Sequence, residues 1–286
     1  MLKFHGTGVA MITPFKDDFS IDFEGLKKVI DHVISGKVDY LVVQGTTGET
    51  ATLTKQEKRQ VLKATIEHTA NRVPIVYGMG GNSTQALLDE IQETDFTGID
   101  AVLSVSPYYN KPSQDGIIAH YRKFADACPV PVILYNVPGR TMSNMTYQTT
   151  ITLSEHPNII GIKEASGDMS QCMRIAAKMP KDFLLISGDD ILTPSMRVLG
   201  GQGVISVLAN AYPEIFHTIC HADLDKAKEA AFRLLDINPM MYEESNPVGV
   251  KYLMKHMGIC GDTVRLPLVT GSESLKTRIR EAAQSV

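Results

Sequence analysis

The chain predicts an α/β protein, a (β/α)8 barrel of the TIM type followed by a C-terminal helical appendage, and three observations predict it. Short apolar, β-branched segments alternate with amphipathic stretches from Val9 to Leu208, a pattern that demands a parallel sheet and, repeated eight times, fits a closed barrel. The turn after the first segment reads Thr13-Pro14-Phe15-Lys16-Asp17. An open doubly wound sheet would place a Gly-rich dinucleotide fingerprint there. Beyond Asn210 the strand signals stop and only helical patterns remain.

The predicted strands are Val9–Pro14, Tyr40–Gln44, Pro74–Gly78, Ala101–Ser106, Val132–Val137, Ile159–Ala165, Phe183–Ser187 and Gly203–Leu208. Each is near-continuously apolar, as expected for strands covered on both faces. A polar or Gly-containing turn and a helical stretch follow each one. Thr54-x-x-Glu57 reads as a capping box at a helix start, and Asn82-x-x-Gln85 as a weaker version. Tyr212–Asp223 reads as the last barrel helix. Leu224–Leu235, Pro247–Met257 and Glu273–Ala283 read as further helices, so the expected division is a barrel over residues 1–223 and an appendage over 224–286.

An apolar content of 43% and a charged content of 21% suit a soluble globular protein. The net charge of −4, with no basic cluster, argues against nucleic-acid or membrane-surface partners. No segment approaches the roughly 20 apolar residues that span a bilayer, and Met1-Leu2-Lys3-Phe4-His5-Gly6 lacks the apolar core of a secretion signal. Cys128, Cys172, Cys220 and Cys260 form no C-x-x-C pair. Reduced thiols and a cytoplasmic location are expected.

A barrel gathers its chemistry at the C-terminal ends of its strands. There the segment Gly161-Ile162-Lys163-Glu164-Ala165 places a lysine inside a buried-strand pattern. A buried ammonium costs several kcal/mol unless it is paired or gives up its proton, and a neutral amine is a nucleophile toward carbonyls. Lys163 is thus a candidate Schiff-base residue; the competing reading is a strand-end lysine that reaches solvent or pairs with Glu164. Tyr135, in Val132-Ile133-Leu134-Tyr135-Asn136-Val137, should point inward with Ile133 and Val137 on the neighbouring strand. Its phenol there is either a proton relay or a core hydroxyl bonded to backbone. Gly45-Thr46-Thr47-Gly48-Glu49 offers hydroxyls and backbone N–H groups on a tight turn, suited to a carboxylate or phosphate or simply to capping the next helix. Arg140, after Pro138-Gly139, is either a bidentate carboxylate grip or a surface arginine.

Other patterns carry less. His217 and His221 have the i, i+4 spacing of a zinc helix, but Thr218 occupies the position of the catalytic glutamate, which leaves a solvated helix face. Gly78-x-Gly80-Gly81 lacks the third glycine of a nucleotide loop, no G-x-S-x-G elbow occurs, and Asp189-Asp190 reads as a helix cap.

The three motifs around Thr46, Tyr135 and Lys163, together with Ser187-Gly188-Asp189-Asp190 and Gly203-Val204-Ile205-Ser206, occur in order across nearly the whole chain. In this the sequence resembles the dihydrodipicolinate synthase family of class I pyruvate-dependent aldolases. The resemblance implies that Lys163 forms an imine with pyruvate, whose enamine attacks L-aspartate 4-semialdehyde in lysine and diaminopimelate biosynthesis. It implies that Thr46 and Thr47 hold the pyruvate carboxylate and that Tyr135 shuttles protons with Thr47. Tyr109 would complete the relay from a neighbouring subunit, Arg140 would orient the semialdehyde, and Gly188 and the Ile205 backbone would line the pocket. Neither metal nor organic cofactor is implied, and the expected assembly is a homo-oligomer, commonly two tight dimers. The same lysine and tyrosine occur in N-acetylneuraminate lyase and keto-deoxy-sugar-acid aldolases; Arg140 and Tyr109 favour the small acidic aldehyde. A non-catalytic binding barrel would lack the lysine, tyrosine or arginine. Family members inhibited by lysine carry histidines and an acidic residue where this chain has Lys55, Lys58 and Ala86, which implies weak or absent feedback inhibition.

Overall fold

A computed structural model describes residues 2–286. The elements run β1 Gly6–Ala10, α1 Phe23–Ser35, β2 Tyr40–Val43, α2 Lys55–Thr69, β3 Ile75–Gly78, α3 Thr84–Glu93, β4 Ala101–Val105 and α4 Gln114–Ala127. They continue with β5 Val132–Asn136, a short α5 Pro138–Thr141, α6 Tyr147–Ser154, β6 Ile159–Glu164, α7 Met169–Ala176, β7 Leu184–Ser187, α8 Thr193–Val198, β8 Gly203–Ser206 and α9 Pro213–His221. Three helices follow: α10 Leu224–Phe232, α11 Val248–His256 and α12 Glu273–Ala283. All eight strands are parallel and close into a barrel, β8 pairing with β1 through Gly6–Gly203 to Val9–Ser206.

Every predicted strand is present, several of them ending a residue earlier than predicted. The first is displaced: the ladder begins at Gly6 and stops at Ala10, whereas Val9–Pro14 was expected. Gly6 and Gly8, turn formers by type, pair inside the sheet, while the more apolar Met11 and Ile12 lie beyond it. Their N–H groups donate to the Val42 carbonyl and to Asn210 Oδ1. The Thr54–Glu57 capping box forms as expected. At α3 the cap is Ser83, not Asn82, because the Asn82 side chain is engaged with the Tyr108 carbonyl and its own carbonyl with Asn110.

Alternation divides the strands between two cores. Ala10, Val42, Val76, Leu103, Ile133, Tyr135, Ile186 and Ile205 fill the barrel interior, and Phe4 packs edge-on against Tyr40 to plug its N-terminal end. Val9, Leu41, Val102, Leu134, Ile162 and Leu185 face the surrounding helices. Burying each such side chain stabilises the fold by about 1.5–3 kcal/mol. No helix among the described residues is long and apolar enough to cross a membrane.

The C-terminal helices are not a detached cap. α10 packs on α8 and α9, and α11 packs on α12. From α11, Lys251 reaches back over the barrel rim to Glu49, and both side chains are buried. The Thr263 carbonyl takes a second Lys251 hydrogen bond at 2.8 Å, and the Phe15 ring lies 4.2 Å from the ammonium. Burial holds the Lys251 ammonium below the ordinary lysine range, opposed by the Glu49 carboxylate. Breaking such a pair leaves a charge uncompensated. Lys251→Met is therefore expected to destabilise the fold by about 3–5 kcal/mol, read from urea unfolding. Lys251→Met combined with Glu49→Gln should recover part of that loss.

Candidate active site

The C-terminal mouth of the barrel opens into a cavity of ≈ 280 Å³ whose wall includes Thr46, Thr47, Tyr135, Arg140, Lys163 and Gly188, with Asp189, Tyr242 and Asn246 around them. Lys163 and Tyr135 are direct neighbours in the β5–β6 register. Alternation turns both inward, and only 6% of Lys163 and 8% of Tyr135 remain exposed. The Lys163 Nζ stands 4.4 Å from the centre of the Tyr135 ring, within cation–π range. Among the described residues no carboxylate lies in salt-bridge contact with Lys163.

Glu164, the adjacent residue on β6, points the other way. Its carboxylate accepts from the Asn136 and Gln171 amides and from the Ser166 N–H. Burial pushes its carboxyl above the usual range, against those hydrogen bonds. Neither Glu164 pairing nor escape to solvent describes Lys163.

The Gly45–Glu49 segment folds as a 3-10 turn over Thr46–Gly48, with Glu49 left-handed at φ 52°. Among the described residues the Thr46 and Thr47 N–H groups have no hydrogen-bond partner, as at the start of any helical turn. They remain free to bind an anion. Thr47 Oγ1 accepts from Asn246 Nδ2 at 3.0 Å, and Asn246 Oδ1 is buried with no partner among the described residues. Arg140 sits on α5 at the rim, exposed, and no described residue forms a hydrogen bond or ion pair with its guanidinium. Gly188 forms the wall through close approach: a Cβ there would stand 2.4 Å from the Ala165 Cβ.

Two residues do not line this cavity from within the chain: Ile205, expected through its backbone, and Tyr109, expected from a neighbouring subunit. Ile205 is buried in the barrel interior and is not part of the cavity wall. Tyr109 is 87% exposed on a loop, with φ 72°, outside the cavity of its own chain. Asp189 Oδ1 accepts the Ile191 and Leu192 N–H groups and so shapes the turn before α8. Asp190 does not cap: it turns inward to accept the Leu208 N–H, and burial pushes its carboxyl up to about 6.

Asn246 and Tyr242 were not read from the sequence as site residues. The only signal is Asn246-Pro247 before a helix, a turn mark that says nothing of a return to the barrel mouth 199 residues from Thr47.

A second, wider cavity of ≈ 410 Å³ adjoins the first, sharing Thr46, Tyr135, Arg140 and Asn246, and extends to Thr50, Lys58, Glu90 and Tyr108.

Residues 3–286 match the model of the dihydrodipicolinate synthetase family. A 4-hydroxy-tetrahydrodipicolinate synthase of Cytophaga hutchinsonii is 50% identical over 286 residues, covering 99% of this chain and 96% of the relative. A dihydrodipicolinate synthase structure from Bacillus anthracis superposes with a TM-score of 0.96 at 34% identity, covering 100% of this chain and 99% of the other. A monomeric dihydrodipicolinate synthase variant also superposes with a TM-score of 0.96, at 33% identity and 99% and 97% coverage.

Asn246→Ala removes the donor to Thr47 and leaves the fold's core untouched. Turnover is expected to fall about 10-fold, the worth of one buried hydrogen bond of about 1–2 kcal/mol. Steady-state kinetics beside an unchanged circular dichroism spectrum checks it.

Proposed function

The chain belongs to the dihydrodipicolinate synthetase family, and from that premise we propose that it is a Schiff-base-forming lyase condensing pyruvate with L-aspartate 4-semialdehyde in lysine and diaminopimelate biosynthesis. The observation that carries the proposal is the buried Lys163 amine, held without a carboxylate partner against Tyr135 at the mouth of the barrel.

Lys163 Nζ adds to the keto carbon of pyruvate, and loss of water leaves an imine. The imine nitrogen draws electrons from the adjacent methyl group, which loses a proton to give an enamine. The enamine carbon then attacks the semialdehyde aldehyde. Carbinolamine formation and dehydration both move protons, and on this reading Tyr135, beside the amine, relays them with Thr47. The free Thr46 and Thr47 N–H groups suit the pyruvate carboxylate, and the unpaired Arg140 guanidinium suits the semialdehyde carboxylate. Gly188 contributes wall, and Ile205 packs in the barrel interior.

Tyr109 acts, on this reading, as the partner subunit's contribution. An aromatic side chain almost wholly exposed and held at φ 72° supports docking against a second copy. The active form is then a homo-oligomer, two tight dimers together, located in the cytoplasm. Residues 1–223 constitute the catalytic barrel and 224–286 the helical appendage, which lends Tyr242 and Asn246 to the mouth.

The wider cavity bears on regulation. Beside its Lys58 and Glu90 stand Lys55 and Arg59, and Ala86 offers no carboxylate. Lys58, Lys55 and Arg59 repel a ligand ammonium there, and Glu93 is already paired with Lys55 and Arg59, which leaves Glu90 as the acidic group opposing them. L-lysine at millimolar concentration is expected to leave the initial rate of the purified enzyme nearly unchanged; strong inhibition would contradict the assignment.

Borohydride reduction in the presence of pyruvate tests the chemistry itself. A pyruvate-sized mass increment on the Lys163 peptide, absent from Lys163→Ala, is expected. Its absence from the wild-type protein would exclude the imine route.

A further inference from the structure

At the opposite end of the barrel from Lys163, three side chains from separate parts of the fold converge. Asp39 lies immediately before β2, and His217 and His221 lie one turn apart on α9. One ligand atom from each lies within 4.8 Å of the others. We propose that Asp39, His217 and His221 form a binding site for a borderline divalent cation of the Zn(II) type, which ties α9 to the start of the sheet.

The protonation pattern favours a ligand role. His217 Nδ1 lies 3.0 Å from the Lys37 carbonyl; a carbonyl only accepts, so Nδ1 carries a proton, which leaves Nε2 as the nitrogen able to ligate a cation. A histidine that ligates a metal through one nitrogen commonly donates the other N–H to just such a carbonyl. The two imidazoles lie side by side, with ring centres 4.5 Å apart and planes 35° from each other.

The carboxylate is fixed as well. Asp39 Oδ2 accepts the Thr7 N–H at 2.6 Å and lies 2.8 Å from His221 Nε2. Two ligand atoms about 2.1 Å from one tetrahedral ion stand about 3.4 Å apart, so a cation replaces the shared proton once the pair opens by roughly half an ångström. Gly6, at φ 91°, makes the room: a Cβ there would lie 2.0 Å from Asp39 Oδ2 and 2.7 Å from His221 Nε2. Two imidazoles and one carboxylate together select Zn(II), Co(II) or Ni(II) over Mg(II) or Ca(II), which prefer oxygen-only shells. Asp39 and His217 are half-buried and His221 is exposed, which leaves the remaining positions to water; the site lies at the far end of the barrel from Lys163, so its role is to tie α9 to the sheet rather than to act on the substrates.

The test is calorimetric titration of ZnCl2 into the full-length, tag-free protein after chelator treatment, with Co(II) absorption as a spectroscopic check. One equivalent is expected to bind in the micromolar range and to raise Tm. His217→Gln and His221→Gln, both on the surface of α9, should each weaken binding at least about 10-fold and abolish the Tm rise when combined. Asp39→Asn is the less clean variant, since Asp39 also holds Thr7. No binding to the wild-type protein at millimolar ZnCl2 overturns the proposal. So does equal affinity in the doubly substituted protein, which would place the metal on other side chains such as Cys260.

Discussion

An ammonium and a carboxylate shut away from water, Lys251 and Glu49, hold the mouth of this barrel together. Taking both charges out of water costs several kcal/mol each, and only close pairing and full hydrogen bonding offset it. Lys251 meets Glu49, the Thr263 carbonyl and the Phe15 ring, and Glu49 also accepts the Arg265 N–H. The pair joins a helix of the C-terminal region to the turn after β2. That turn needs such an anchor, because Glu49 occupies left-handed backbone, which costs a non-glycine residue of order 1 kcal/mol or more. With Glu49 pinned, Thr46 and Thr47 are presented to the cavity, and Asn246 arrives close enough to bind Thr47.

The chain buries two lysines and treats them oppositely. Lys251 has a carboxylate and a carbonyl and is held as a cation in a structural pair. Lys163 has an aromatic face and an open cavity. A fully satisfied ammonium is inert; a lysine with no carboxylate in salt-bridge contact, set against a phenol ring at an open cavity, retains its capacity to add to a carbonyl. Burial alone did not separate these two residues. Their partners did.

The barrel's two ends are built to different purposes. At the N-terminal end Phe4 and Tyr40 fill the bore, and the His–Asp cluster lies outside that plug. At the C-terminal end the bore widens into cavities lined by turns rather than strands, where polar groups are unpaired because the backbone has just left the ladder. Free donors are the ordinary consequence of ending a strand or starting a helical turn, and a barrel ends eight strands in one place.

The barrel was legible because its strands are apolar runs and their number, spacing and separation by amphipathic helices leave few closures open. Lys163 and Tyr135 were legible because a charge and a phenol interrupt such runs. β1 was misplaced because local hydrophobicity favoured Met11 and Ile12 over the glycines that pair with β2 and β8. The alternation and interruptions written in the sequence by themselves determined the architecture, the rim and the residues that could react there. Only the tertiary structure decided which groups are paired. Glu164 turns to Asn136 instead of Lys163, Asn246 returns to Thr47, Lys251 finds Glu49, and His217 and His221 meet Asp39. Such pairings depend on how distant segments pack in three dimensions, and no local pattern encodes contacts between residues nearly 200 positions apart.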